Sequence, residues 1–86
     1  MSTFKLLYFA AASTYTGRDH DDFPAPVKAS ELFALLEDRY PGITQKVLTT
    51  CAVTVNYNYV DLEDADAALV LGQGDEVALI PPVSSG

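Results

Sequence analysis

The sequence predicts an α+β domain in which one main helix packs on a mixed sheet of about five strands. Three observations carry this. Ser30 to Tyr40 places Leu32, Leu35, Leu36 and Tyr40 at the i, i+3, i+4, i+8 spacing of one helix face. Apolar, β-prone runs flank that segment at Phe4 to Ala11, Thr49 to Val55 and Glu76 to Ile80. The 86 residues suit one domain with one core.

Phe4 to Ala11 reads as a buried first strand. Alternation puts Phe4, Leu6 and Tyr8 on one face and Lys5, Leu7 and Phe9 on the other. Ser13 to Asp22, polar and containing Gly17, reads as a loop. Phe23 to Val27 holds Pro24 and Pro26, which cannot donate to a ladder, so it is an edge strand or an extended lead-in. The helix follows, with Ser30 as N-cap, Glu31 at the positive end of the dipole, Phe33 flanking the apolar stripe, and Pro41-Gly42 as the stop.

Thr49 to Val55 is a strand with Cys51, Val53 and Val55 on one face. Asn56-Tyr57-Asn58 supplies turn chemistry, because Asn tolerates positive φ. Tyr59 to Leu62 is a short return strand. Asp61 to Asp66 and Ala67 to Leu71 form a loop with room for one helical turn. Gly72-Gln73-Gly74-Asp75 is a turn. Glu76 to Ile80 is the last strand, with Val77 and Leu79 inward and Ala78 and Ile80 outward. Pro81-Pro82 ends it. The first and last strands, the most apolar, form the natural central pair.

The composition excludes much chemistry. Five basic residues face twelve acidic ones, a formal charge of −7. Phosphate binding wants clustered Lys and Arg, so nucleic acid is not the expected partner. No apolar run approaches the ~20 residues that cross a bilayer, and the start shows no secretory pattern. One Cys and one His make no tetrahedral metal set alone. His20 reads as a solvated loop residue, and Cys51 as a buried, inert thiol that fits a reducing compartment. Asp19, Asp21 and Asp22 lack the glycine and distant glutamate of an EF-hand loop and read as a solvated acidic run. Nucleophile elbows, zinc-helix motifs and phosphate loops are absent from the sequence. Catalysis by the chain alone is not expected.

The tail Pro81-Pro82-Val83-Ser84-Ser85-Gly86 is uncharged and stiffened at its root by two prolines. Extended, six residues reach roughly 20 Å. It is either a frayed terminus or a tail shaped to thread a narrow channel and present a carboxylate.

Gly74-Asp75-Glu76-Val77-Ala78-Leu79-Ile80-Pro81-Pro82-Val83 resembles the C-terminal signature of the molybdopterin synthase small-subunit family, the ubiquitin-like sulfur carriers. Three further pieces fit in order. Leu6-Leu7-Tyr8-Phe9-Ala10 resembles that family's first strand, Leu32 to Gly42 its helix with a Tyr-Pro-Gly stop, and Val55-Asn56-Tyr57-Asn58-Tyr59-Val60 its hairpin. The resemblance covers nearly the whole chain. It implies a β-grasp domain over residues 1–80 and an extended tail over 81–86. It also implies a cytosolic, non-catalytic sulfur-donating subunit. On that resemblance, an adenylyltransferase of the ubiquitin-activating type would use ATP to activate the tail, and no cofactor is expected on this chain itself. The terminal glycine would become a thiocarboxylate and enter the active site of the large subunit, within a heterotetramer, to sulfurate cyclic pyranopterin monophosphate.

The family ends in Gly-Gly, whereas here Ser85 precedes Gly86. The resemblance therefore assigns the reacting carboxylate to Gly86 and makes Pro81, Pro82, Val83, Ser84 and Ser85 tail contacts. Related carriers serving thiamine synthesis or tRNA thiolation, and a non-covalent ubiquitin-like module, are the alternatives. Strand alternation adds a docking surface independently. Phe9, Tyr59 and Ile80 fall on the face opposite the helix, beside the tail root, where an apolar patch marks an interface. Asp61, Asp75 and Glu76 would steer a basic partner or form a solvated rim.

Overall fold

The computed structural model describes residues 2–62 and 68–82. In chain order the elements are β1 (Thr3–Tyr8), α1 (Ala11–Thr16), β2 (His20–Pro24), β3 (Val27–Lys28), α2 (Leu32–Arg39), α3 (Ile43–Lys46), β4 (Ala52–Val55), β5 (Asn58–Val60), β6 (Val70–Leu71) and β7 (Glu76–Ile80). Five strands make the main sheet in the order β2-β1-β7-β4-β5, and β3 pairs with β6 apart from it. The first and last strands are indeed neighbours, running parallel, with Leu6 opposite Val77 and Leu7 opposite Ala78. The other pairs in the main sheet are antiparallel.

One face of this sheet carries the core. Phe4, Leu6 and Tyr8 of β1, Val77 and Leu79 of β7, and Val53 and Val55 of β4 are buried against Leu32 and Leu36 of α2 and Ile43 of α3. Phe4 stacks on its cross-strand partner Phe23, with ring centroids 5.9 Å apart. Burying each such side chain contributes about 1.5–3 kcal/mol relative to exposure. Leu35, the remaining leucine of the expected stripe, is half-buried.

The structure corrects several boundaries. β1 stops at Tyr8, not Ala11, because Ala10 turns to φ 50° and starts α1. The expected loop Ser13 to Asp22 instead holds α1 and the start of β2. Ala11 and Ala12 favour helix, and Gly17 closes it in the left-handed conformation, its N–H donating to the Ser13 carbonyl. His20 is an exposed strand residue, not a loop residue, on the sheet's outer strand. Ser30 does not cap the helix. It lies in a 3-10 turn, Ala29–Glu31, that runs directly into α2, so the Leu32 N–H reaches the Ala29 carbonyl instead of a side chain.

β4 begins at Ala52 rather than Thr49, since Leu48–Thr50 form a second 3-10 turn. The return strand is Asn58–Val60. Within the expected loop after it, Val70 and Leu71 pair with Lys28 and Val27, and residues 63–67 lie outside the described residues. The Asn56 turn holds as expected. Asn56 and Tyr57 both take positive φ, 50° and 74°, the two-residue hairpin geometry that matches strand twist.

Candidate functional site

The sheet face away from the helices is bare. Strand register lays Leu7, Ala78, Thr54 and Tyr59 in one row across four strands. The small side chains of Ala78 and Thr54 sit mid-row and make the floor of a shallow groove of about 240 Å³. Phe9, Tyr57, Tyr59 and Ile80 rise around it, with Glu76 at one end. Phe9 is 48% exposed and Tyr59 72%. The three docking residues expected from alternation, Phe9, Tyr59 and Ile80, are therefore brought together.

The end of the groove at Glu76 is rigidly built. The Asn56 N–H donates to the Glu76 carbonyl at 2.7 Å, and the Glu76 N–H returns to Asn56 Oδ1 at 3.0 Å. Asn56 Nδ2 donates to Asp75 Oδ1 at 3.1 Å. Asp75 also accepts the Gly72 N–H at 2.7 Å, which closes the turn before β7. These bonds clamp the hairpin turn onto the start of β7. Interaction with the Glu76 carboxylate and its negative charge raises the Tyr57 phenol above its ordinary range.

β7 delivers the tail root to the rim of the groove. Ile80 lines it, Pro81 is buried and Pro82 is exposed. Val83, Ser84, Ser85 and Gly86 lie outside the described residues.

On the opposite side, Asp21 is 2% exposed, which corrects its reading as a solvated residue. Its Oδ2 accepts the hydroxyls of Tyr8, at 2.8 Å, and Tyr40. Its Oδ1 meets Arg18 Nε at 2.9 Å and Arg39 Nη2 at 3.7 Å. Burial alone would raise this carboxyl, but the two hydroxyls and two guanidinium groups outweigh it and hold the carboxyl below its ordinary value. Burial, then the Asp21 carboxylate, push both phenols up. Every partner comes from the chain itself, so this cluster is structural.

The family described as ThiS matches residues 6–86. The chain belongs to the ThiS family. A molybdopterin synthase sulfur carrier subunit of Pyrenophora tritici-repentis (strain Pt-1C-BFP) is 60% identical over 83 residues, covering 96% of this chain and 89% of that protein. The solved putative molybdopterin converting factor subunit 1 from Pyrococcus furiosus has a TM-score of 0.77 at 23% identity, covering 96% of this chain and 100% of that one. The complex of subunits 1 and 2 of the molybdopterin-converting factor from Helicobacter pylori 26695 contains a chain with a TM-score of 0.68 at 23% identity, covering 98% of this chain and 99% of that one. These likenesses bear out the β-grasp fold.

In this ThiS-family chain the other chemistry-bearing residues stay apart from the groove. Cys51, immediately before β4, is half-buried rather than fully buried as expected, and burial pushes its thiol up, away from the reactive thiolate. Among the described residues no group of His, Cys, Asp and Glu is arranged to hold a metal ion. Among them, too, no helix is long and apolar enough to cross a membrane. Sequence reasoning missed Tyr57 as a groove residue because it was read as turn chemistry alone. The available signal was an aromatic at the second turn position, where glycine is the usual occupant.

Proposed function

We propose that the chain is the sulfur-carrier subunit of a molybdopterin synthase, docking through its bare sheet face on the large subunit and donating sulfur from its C-terminus. The observation that carries this is the groove of Phe9, Tyr59 and Ile80 with the tail leaving from its rim. The 60% identical sulfur carrier subunit and the two-subunit complex of a structural relative support it.

The roles follow from the chemistry. A carboxylate is a poor electrophile. Attack by a Gly86 carboxylate oxygen on the α-phosphorus of ATP, in the activating enzyme, expels pyrophosphate and leaves an acyl-adenylate. A sulfide-equivalent donor then displaces AMP to give the thiocarboxylate. Its sulfur is a soft nucleophile on a tether. Pro81 and Pro82 stiffen the root of the tether, Val83, Ser84 and Ser85 are assigned as its contacts with the large subunit, and the groove fixes where the tether begins. Pterin chemistry then belongs to the large subunit, with cyclic pyranopterin monophosphate as sulfur acceptor.

The test is intact mass after incubation with the activating enzyme, ATP and a sulfur donor. The mass rises by the difference between one sulfur and one oxygen atom, and deleting Gly86 abolishes the rise. An unchanged mass under conditions that load a control carrier overturns the reading. Co-purification with the large subunit separates this role from carriers of thiamine synthesis or tRNA thiolation.

A further inference from the structure

The two-residue hairpin requires positive φ at Tyr57, but it does not explain an aromatic residue where glycine is usual. A non-glycine residue at φ 74° is strained, and aromatic residues are not those that tolerate it. Burial gives no compensation, because the side chain is 85% exposed. Strain of this kind persists where the surroundings over-determine the backbone, and it concentrates at functional positions. Here the Asn56 bonds to Glu76 and Asp75 do the over-determining.

What the strained conformation achieves is visible at Glu76. Among the described residues, Glu76 is the charged side chain lining the groove, and Tyr57 lines the same groove with it. Lys5 is its register partner on β1, yet Lys5 is exposed and, among the described residues, no ion pair reaches Glu76. A half-buried acidic residue thus stands in an apolar groove walled by Tyr57 and Tyr59, with no ion pair among the described residues. Covering that groove with a purely apolar surface would desolvate the carboxylate without a counter-charge, which is costly.

The geometry points to an arginine of the docked partner as the occupant of this groove, its guanidinium paired with Glu76 and lying against the Tyr57 and Tyr59 rings. Arginine fits better than lysine for two reasons. Its planar fork pairs bidentately with a carboxylate, and it stacks on aromatic faces while remaining weakly hydrated. The −7 charge of the chain favours a cationic partner surface at long range, and Glu76 converts that general attraction into a fixed register. Tyr57 is then a positioning residue, its ring walling the groove that Glu76 also lines. The inference rests on the docking reading above and names the chemistry that reading leaves open.

The experiment is titration calorimetry of the full chain against the molybdopterin synthase large subunit from the same genome, at low and high salt. Glu76→Gln keeps the shape but removes the charge. It is expected to weaken binding by about tenfold and to flatten the salt dependence, with the thermal midpoint unchanged. Tyr57→Phe keeps ring and backbone, removes the hydroxyl, and is expected to weaken binding severalfold with the same melting profile. Glu76→Arg is expected to lose binding and to recover it with one arginine-to-glutamate change in the partner. If the unaltered chain binds and both Glu76→Gln and Tyr57→Phe bind equally well, the arginine assignment is overturned and the docking reading stands. If recovery comes from a partner lysine, the arginine assignment is likewise overturned. If the unaltered chain forms no complex, the docking reading falls and this inference falls with it.

Discussion

Two carboxylates on opposite faces of one sheet have opposite surroundings. Asp21 is enclosed, and both its oxygens are met by hydroxyls and guanidinium groups from β1, α2 and the loop before β2. Glu76 is half-buried in the groove and, among the described residues, no ion pair reaches it. The fold completes the first site from its own residues and leaves the second to be completed from outside. Polar satisfaction, more than acidity or exposure, separates the part of this molecule that holds it together from the part proposed to meet a partner.

The largest test of that division lies in the aromatic residues of the two faces. Phe4 and Phe9 sit on and just beyond the same strand, five residues apart, with opposite directions. Phe4→Ala leaves a cavity under α2 and is expected to cost about 3–5 kcal/mol in urea unfolding. Phe9→Ala removes a half-exposed ring and is expected to cost under about 1 kcal/mol, while weakening the large-subunit complex at least about tenfold. Equal losses of stability from the two substitutions would erase the distinction between the faces.

Asp21 gives a smaller effect with a pH signature. Asp21→Asn keeps the shape and one acceptor but loses the charge facing Arg18 and Arg39, and is expected to cost about 2 kcal/mol at neutral pH. The two hydroxyls and two guanidinium groups outweigh burial and hold the folded carboxyl below its ordinary value of 3.8. Its stabilisation is therefore fully present above the ordinary carboxylate range and lost as pH falls below 3.8 through the lowered value. Unfolding curves of the two proteins should converge in that acid range. The tyrosines set the other limit. Tyr8 and Tyr40 are raised from 10.0, so their share is complete below pH 10.0 and lost as pH climbs past it. A constant gap between the proteins from neutral to strongly acid pH would remove Asp21 as the titrating group.

The bare face was legible in the sequence because it obeys a local rule. Period-2 alternation in β1 and β7 turns Leu7, Phe9, Ala78 and Ile80 outward, whatever the strands pair with. The helix stop at Pro41-Gly42 and the Asn56 turn were equally local. Asp21 was not legible. Arg18-Asp19-His20-Asp21-Asp22 has the composition of a solvated loop, and its burial depends on pairing Asp21 with Leu6 and on Tyr40, nineteen residues away. The N-cap expected at Ser30 failed for a related reason. Ala29 donates its N–H to the distant Leu69 carbonyl and begins a 3-10 turn, so the helix is started by tertiary contact rather than by a side chain.

The smallest effect has an unusual sign. Tyr57→Gly relieves a left-handed φ that costs an L-residue roughly 1 kcal/mol. It gives up little burial, because the ring is largely exposed. Glycine's greater freedom in the unfolded chain offsets part of the gain. The expected net result is a protein about 0.5 kcal/mol more stable by thermal or urea unfolding, with weaker binding to the large subunit. On the Asp21 side of the sheet, loss of a polar partner lowers stability. On the Glu76 side, loss of Tyr57 raises stability and lowers affinity. A Tyr57→Gly chain that is less stable, or that binds as tightly as before, would show that the turn serves the fold and that the strain has another cause.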